Sequence, residues 1–330
     1  MCRWVEHCPI SQRPFQFAGN RARRARRTSL ISMSEPTTSS HSPRGLSQPE
    51  WIRSVCCVLV IVGHCDLRFI GLSIAAVTAF LALSVHFALC ARDRSTLPSR
   101  AWSILLLWCA WSCVYVALPV TRSFMKNEPL DSRLFWWMIA FGPSIHLWYL
   151  PALATARLAI YAAFGFWHRR IGVALCVAII ACLAATEPQI LSFASKPPLA
   201  QLYVLTVSFF GAVACHGLLP STLSRAWTRW AWVLFGIGLA SSFVMDTMWF
   251  GYAITVTATI MLCRVEQAAP SPRLSAFSAC TAGMYLVHIL FLFAIHFFTP
   301  IGIAWAPVVV ILSFATTLLA RRTRLRWMFP

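Results

Sequence analysis

The chain has 330 residues, of which 58% are hydrophobic, 13% aromatic and only 12% charged, whereas a soluble domain carries about 25% charged residues. That excludes an ordinary soluble surface. The 28 basic residues against 10 acidic ones give a formal net charge of +18, yet the basic residues stand almost wholly between or beyond apolar runs of about twenty residues, the length of a bilayer-spanning helix. The positive-inside rule accounts for that pattern, so nucleic acid is not expected as a partner. The composition predicts an all-α, polytopic integral membrane protein.

In chain order, residues 1–50 hold a basic run at Arg21, Arg23, Arg24, Arg26 and Arg27, followed by a Ser/Thr/Pro-rich stretch to Pro49. No apolar core follows the arginines closely enough for a secretory signal, and the segment reads as a disordered cytoplasmic tail. Met33 would open a shorter chain, in which the first 32 residues are not translated. Residues 51–320 carry ten apolar runs, at 52–67, 71–90, 102–120, 144–165, 171–186, 200–218, 229–245, 247–263, 275–297 and 301–320, each expected to be a transmembrane helix. The first is short for a hydrocarbon core of about 30 Å. Residues 134–142 are too few to cross and, with Gly142 and Pro143 ending them, predict an interfacial or re-entrant helix. Residues 321–330 are expected to be a basic cytoplasmic tail.

Orientation follows from the basic residues on alternate sides. With a cytoplasmic amino terminus, 22 of the 28 fall on that side, five on the other, and Arg157 alone lies inside a run. Both termini are therefore expected in the cytoplasm of an inner or plasma membrane. The 13 cysteines lie mostly within apolar runs (Cys56, Cys57, Cys109, Cys113, Cys176, Cys182, Cys215, Cys280) without a CxxC pair. They read as small buried hydrophobes, with no metal site and no disulfide framework expected.

An ionisable group within a span costs about 2.5–3.5 kcal/mol on insertion scales, so each needs a reason. Arg53 and His64 stand eleven residues apart, and eleven steps of about 100° return to within about 20° of the start, which places both on one face about 16 Å apart. His146 and Arg157 repeat the relation on the fourth run in the opposite direction. Two antiparallel helices would then each present a histidine above an arginine. The arginines could hold an anionic, phosphate-bearing ligand, and a neutral imidazole deeper in could serve as a general base. The alternative is plainer: His64 hydrogen-bonds a neighbouring helix and Arg53 marks the membrane boundary. His86, His216 and His296 lie near the ends of their runs, where polar groups are tolerated. Asp66 is about 200° round the helix from His64 and does not orient it, while Asp246 falls in an outer turn.

These residues carry a resemblance. The segment Arg53 to His64 (RSVCCVLVIVGH) resembles the signature first helix of the membrane acyltransferase 3 family. Phe80 to Phe87 (FLALSVHF), His146 to Leu153 (HLWYLPAL) and Met284 to Leu292 (MYLVHILFL) are similar to later elements of that family, in the right order. The likeness covers about residues 50–320. It departs from the family pattern at Val85, where glycine is common, and in lacking Arg-x-x-Arg in the early basic loop with Arg92, Arg94 and Arg100.

The resemblance implies a membrane-embedded O-acyltransferase. It would move an acyl group, acetyl in most members, from cytoplasmic acyl-CoA to a hydroxyl of a cell-surface or secreted glycan or lipid-linked sugar. Acyl-CoA would be a co-substrate, with no bound cofactor. His64 would be the catalytic base or an acyl relay, and Arg53, Arg100 and Arg157 would bind the donor phosphates. His146, Trp148, Tyr285 and His288 would line or support the acceptor side, where aromatic faces suit sugar rings. Trp148 and Tyr285 read equally as an interfacial aromatic belt. A secondary transporter of a small solute is the alternative function, although the two halves show no convincing repeat.

Overall fold

The computed structural model describes residues 47–91, 93–126, 147–167, 169–186, 199–244, 248–265 and 271–329. Among them there is no strand, and the chain folds into α1 (Ser47–Cys65), α2 (Ile70–Leu89), α3 (Thr96–Lys126), α4 (Tyr149–Ala162), α5 (Arg170–Ala185), α6 (Leu199–Leu218), α7 (Trp227–Val244), α8 (Met248–Arg264), α9 (Pro272–Phe298) and α10 (Ala306–Ala320). Each helix coincides with one of the apolar runs. Among the described residues, five stretches are long and apolar enough to cross a membrane: Leu67–Leu89, Thr96–Ala117, Gln201–Leu218, Pro272–Phe298 and Ile303–Ala320. The expectation of ten spans therefore divides. Arg170–Ala185 and Phe250–Arg264 are apolar but short, and α1 carries Glu50 and Arg53. The 14 residues of α4 reach only about 21 Å. The expected re-entrant segment 134–142 and Asp246 lie outside the described residues.

The perimeter is apolar, as a lipid-facing surface requires. Trp102, Leu106, Val233, Ile237, Phe293, Phe297 and Ile311 are all exposed there. Cys109, Cys113 and Cys182 are exposed too, whereas Cys56, Cys57, Cys176 and Cys280 are buried. The expectation that these cysteines are buried is thus corrected for three of them, because a thiol is apolar enough to sit on either side of a helix in hydrocarbon.

Helices α1 and α2 form the centre. Helix α1 buries Ile52, Cys56, Cys57, Val60 and Ile61 and packs against α2, α9, α8 and α10. Helix α2 buries a run of small residues that includes Ala75, Ala76, Ala79 and Ala82, and packs against α1, α6, α8, α7 and α4. Small side chains let helix backbones approach closely where lipid supplies no hydrophobic drive for association. At Gly238 and Gly251 this is acute: a Cβ on either would fall 2.5 Å from Thr255 Oγ1 or 2.3 Å from Ser242 Oγ. Several hydroxyls buried in the bundle turn back on their own helices, as in Ser208 to the Val204 carbonyl (2.6 Å) and Thr255 to the Gly251 carbonyl (2.8 Å), which satisfies their donors without a partner on another helix.

The pairing of α1 with α9 sets the relative depth of the polar side chains between them. Ser275 Oγ donates to Glu50 Oε1 at 3.0 Å, Cys57 Sγ donates to the Thr281 carbonyl at 3.5 Å, and the His64 ring meets the His288 ring. The sequence offsets of these pairs are 225, 224 and 224. A constant offset means that the two helices run parallel and in register.

Residues after α10 fold back onto the bundle. Arg321 donates to the Ala279 carbonyl at 2.6 Å, Trp111 Nε1 donates to the Met328 carbonyl at 3.1 Å, and Phe329 is buried edge-on against Trp111.

Candidate active site

A polar column runs along the inner face of α1. At its N-terminal end Arg53 lies over the Phe87 ring of α2 at 5.4 Å. Arg157 of α4 is within electrostatic reach of both Arg53 and Arg100, the latter on α3. The Nε donor of Arg157 is buried and has no hydrogen-bond partner in the protein, so this group of three guanidiniums offers an unfilled donor toward an anion. Glu50 also lies near Arg53 and offsets part of the charge.

Tyr149, the first residue of α4, joins this end to the interior. Its hydroxyl is hydrogen-bonded to that of Ser84 and feels both Arg53 and Arg157. Its ring lies 6.1 Å from Phe80 and 5.4 Å from Tyr285 by centroids. Tyr285 is in turn 5.9 Å from His288, and His288 is 5.2 Å from His64. A series of rings thus runs from Tyr149, which feels the arginines, through Tyr285 to the two histidines. His288 is fully buried, and its Nδ1 approaches the Tyr285 carbonyl at 2.8 Å. A carbonyl only accepts, so Nδ1 carries the proton and Nε2 is the basic nitrogen. His64 is half-buried.

The structure therefore brings His64, Tyr285 and His288 together, and separately gathers Arg53, Arg100 and Arg157. His146 lies outside the described residues. Trp148 is buried within the core, directly before Tyr149.

The acyltransferase domain of the acyltransferase 3 family matches residues 46–321. The chain belongs to the acyltransferase 3 family. No curated protein and no solved structure matches it. The matched region takes in α1 to α10 and both ends of the polar column, so this acyltransferase 3 protein is an integral membrane acyltransferase whose surroundings are a lipid bilayer. Nothing found supports solute transport.

Sequence reasoning points to Trp148 and passes over its neighbour Tyr149. The available signal is weak: Tyr149 is eight residues before Arg157, about 80° away on the helix. Ser84 and Phe87 lie within the FLALSVHF segment, but nothing in its pattern marks them. The same segment holds His86, whose ring meets His216 of α6 at 5.3 Å, a pairing that a position near a helix end does not announce. Asp66 accepts from the Arg68 backbone at 3.0 Å and side chain at 2.6 Å. His296 is exposed on the perimeter.

Proposed function

We propose that this acyltransferase moves an acyl group, acetyl in the simplest case, from cytoplasmic acyl-CoA to a hydroxyl of a cell-surface or secreted glycan or a lipid-linked sugar. The observation that carries the reading is the column from three guanidiniums to two imidazoles. Acyl-CoA is anionic at its phosphates, and Arg53, Arg100 and Arg157 supply the opposite charge in fork geometry. A sugar hydroxyl has a pKa far above neutral and needs a base to act as a nucleophile. In the direct route, His64 takes the hydroxyl proton as the sugar oxygen bonds to the thioester carbonyl. The carbon–sulfur bond then breaks, and the CoA thiolate leaves and is protonated by the imidazolium. A covalent acyl-imidazole at His64 reaches the same products in two steps. The Tyr285 hydroxyl is the candidate donor to the developing oxyanion, the basic Nε2 of His288 is a candidate to accept from the acceptor hydroxyl, and His146 and Trp148 remain assigned to the acceptor side.

The proposed topology has ten spans with both termini cytoplasmic. It is supported by the parallel register of α1 and α9, which requires an odd number of crossings between them, and α2 to α8 supply seven. The test compares wild type with His64→Ala at equal membrane level, measuring labelled acyl groups on the host's surface and secreted glycans and trapping any acylated enzyme. Equal labelling by both proteins would overturn the assignment of His64.

A further inference from the structure

A second cluster lies outside the polar column, at the C-terminal ends of α2 and α6. His86 and Cys90 stand four residues apart, one turn of the same helical path, and face His216 from α6. The ligating atoms of the three all lie within 4.8 Å of one another. His86 Nδ1 is 3.3 Å from His216 Nδ1, and Cys90 Sγ is 3.7 Å from His86 Nε2. A tetrahedral ion with bonds of about 2.0–2.1 Å to nitrogen and about 2.3 Å to sulfur sets its ligands about 3.3–3.7 Å apart. These two contacts use different nitrogens of His86, so one ring nitrogen would serve as ligand, and the widest separation of up to 4.8 Å exceeds the tetrahedral spacing by about 1–1.5 Å, which the side chains would have to close. The deepest member, His86, is buried and the other two are half-buried.

Two further features bear on the choice of ligand. Both helices present their C-termini here, and the partial negative charge of a helix C-terminus favours a cation. Arg264 lies close by, and its guanidinium donates to the carbonyls of Leu219, of Pro220 at 2.9 Å and of His216 at 2.6 Å. That pins the end of α6 and fixes the backbone that carries His216. Its positive charge opposes a bare cation, and a Cys90 thiolate offsets it. Imidazole and thiolate together select a borderline-soft divalent ion over magnesium or calcium.

We propose that His86, Cys90 and His216 bind a zinc-class ion that ties α2 to α6 and leaves a fourth position for water. The site is separate from His64 and from the arginine group. It reverses the sequence-based expectation of no metal, which rests on the lack of a CxxC pair; the informative pattern is His-x-x-x-Cys on one helix with a histidine 126 positions after Cys90.

The full chain, purified in detergent and stripped with a chelator, provides the test. Wild type is expected to take up about one zinc per chain after desalting and to melt at higher temperature with zinc than with chelator, since an ion that binds only the folded state stabilises it. Cobalt in place of zinc is expected to give a thiolate-to-metal charge-transfer band. Cys90→Ser should abolish that band, and Cys90→Ser and His216→Gln should each weaken zinc binding by more than about 100-fold, beyond what loss of a supporting group causes. His296→Gln, on the exposed perimeter, should bind zinc as wild type does. Melting in chelator shows whether each variant is folded. A wild type that shows no cobalt–thiolate band, or no more zinc than the triple variant His86→Gln, Cys90→Ser, His216→Gln, overturns the proposal.

Discussion

His64 and His288 meet across the parallel helices α1 and α9, with ring centroids 5.2 Å apart and planes inclined by 41°. Their equal depth follows from the constant register of the two helices, and the Tyr285 carbonyl fixes the tautomer of His288. Two imidazoles so placed are expected to serve one reaction step. His64→Ala should lower acyl transfer by at least about 100-fold, the range for loss of a general base. His288→Ala should also reduce it, and the double variant should be no worse than the more severe single variant, because groups acting as a unit are non-additive. The measurement is transfer of labelled acetyl in membranes matched by immunoblot. Losses that multiply would show that the two histidines act independently.

The guanidiniums at the other end of the column make a different prediction. Arg53→Ala and Arg157→Ala should each raise KM for acyl-CoA by about 10- to 100-fold, since a hydrogen bond to a charged group contributes about 1.5–3 kcal/mol, and should leave kcat nearly intact. Arg157→Lys should recover little, because an ammonium cannot reproduce the fork that places Nε toward the anion. Initial-rate kinetics with varied acyl-CoA separate the two parameters. A fall in kcat at unchanged KM would place these arginines in the chemical step.

The first-helix stripe is legible in the sequence because the helical period alone puts Arg53 and His64 on one face. Helices α1 to α10 are legible because apolar runs mark them, although α4 begins at Tyr149, inside its predicted run at 144–165, and so is shorter than the hydropathy suggests. Partners across the bundle are not legible. Nothing in the spacing joins Tyr149 to Tyr285 or His86 to His216, because those contacts depend on which helices pack together, and small residues such as the alanines of α2 set that packing without any periodic signal of their own. His288 is marked in the sequence only through a likeness of motif; its alignment with His64 needs the register of α1 against α9.

Asp66 offers a pH control for the histidines. It lies between α1 and α2 and is hydrogen-bonded to Arg68, which holds its carboxyl below the usual range. A carboxylate with a lowered folded-state pKa contributes above its unfolded value of about 3.9 and loses that contribution only as the pH falls through the lowered value. The pair is therefore intact from about pH 5 to 8. Asp66→Asn should leave the pH profile of acyl transfer in that window superimposed on wild type, so that an inflection there belongs to an imidazole. A displaced inflection in Asp66→Asn would show that the carboxylate influences His64 after all.

Gly63 governs how closely α1 meets α2 beside the catalytic candidate. A Cβ at this position would lie 2.3 Å from Ser73 Cβ and 2.9 Å from the Phe69 carbonyl oxygen, closer than packed atoms approach. Gly63→Ala must therefore push the helices apart or rotate α1, and either movement shifts His64 relative to His288. Overpacking of this kind costs about 1–3 kcal/mol, and a displacement of about 1 Å at a reacting group can cost about 100-fold in rate. Gly63→Ala is thus expected to lower the melting temperature in detergent and to reduce transfer further than that loss of folded protein explains. Ser73→Gly added to Gly63→Ala removes the closer clash and leaves the Phe69 carbonyl, so it should restore part of both properties. Wild-type melting and transfer in Gly63→Ala would mean that the turn at Asp66 yields enough to absorb a methyl group, and that the spacing of α1 from α2 does not set the position of His64.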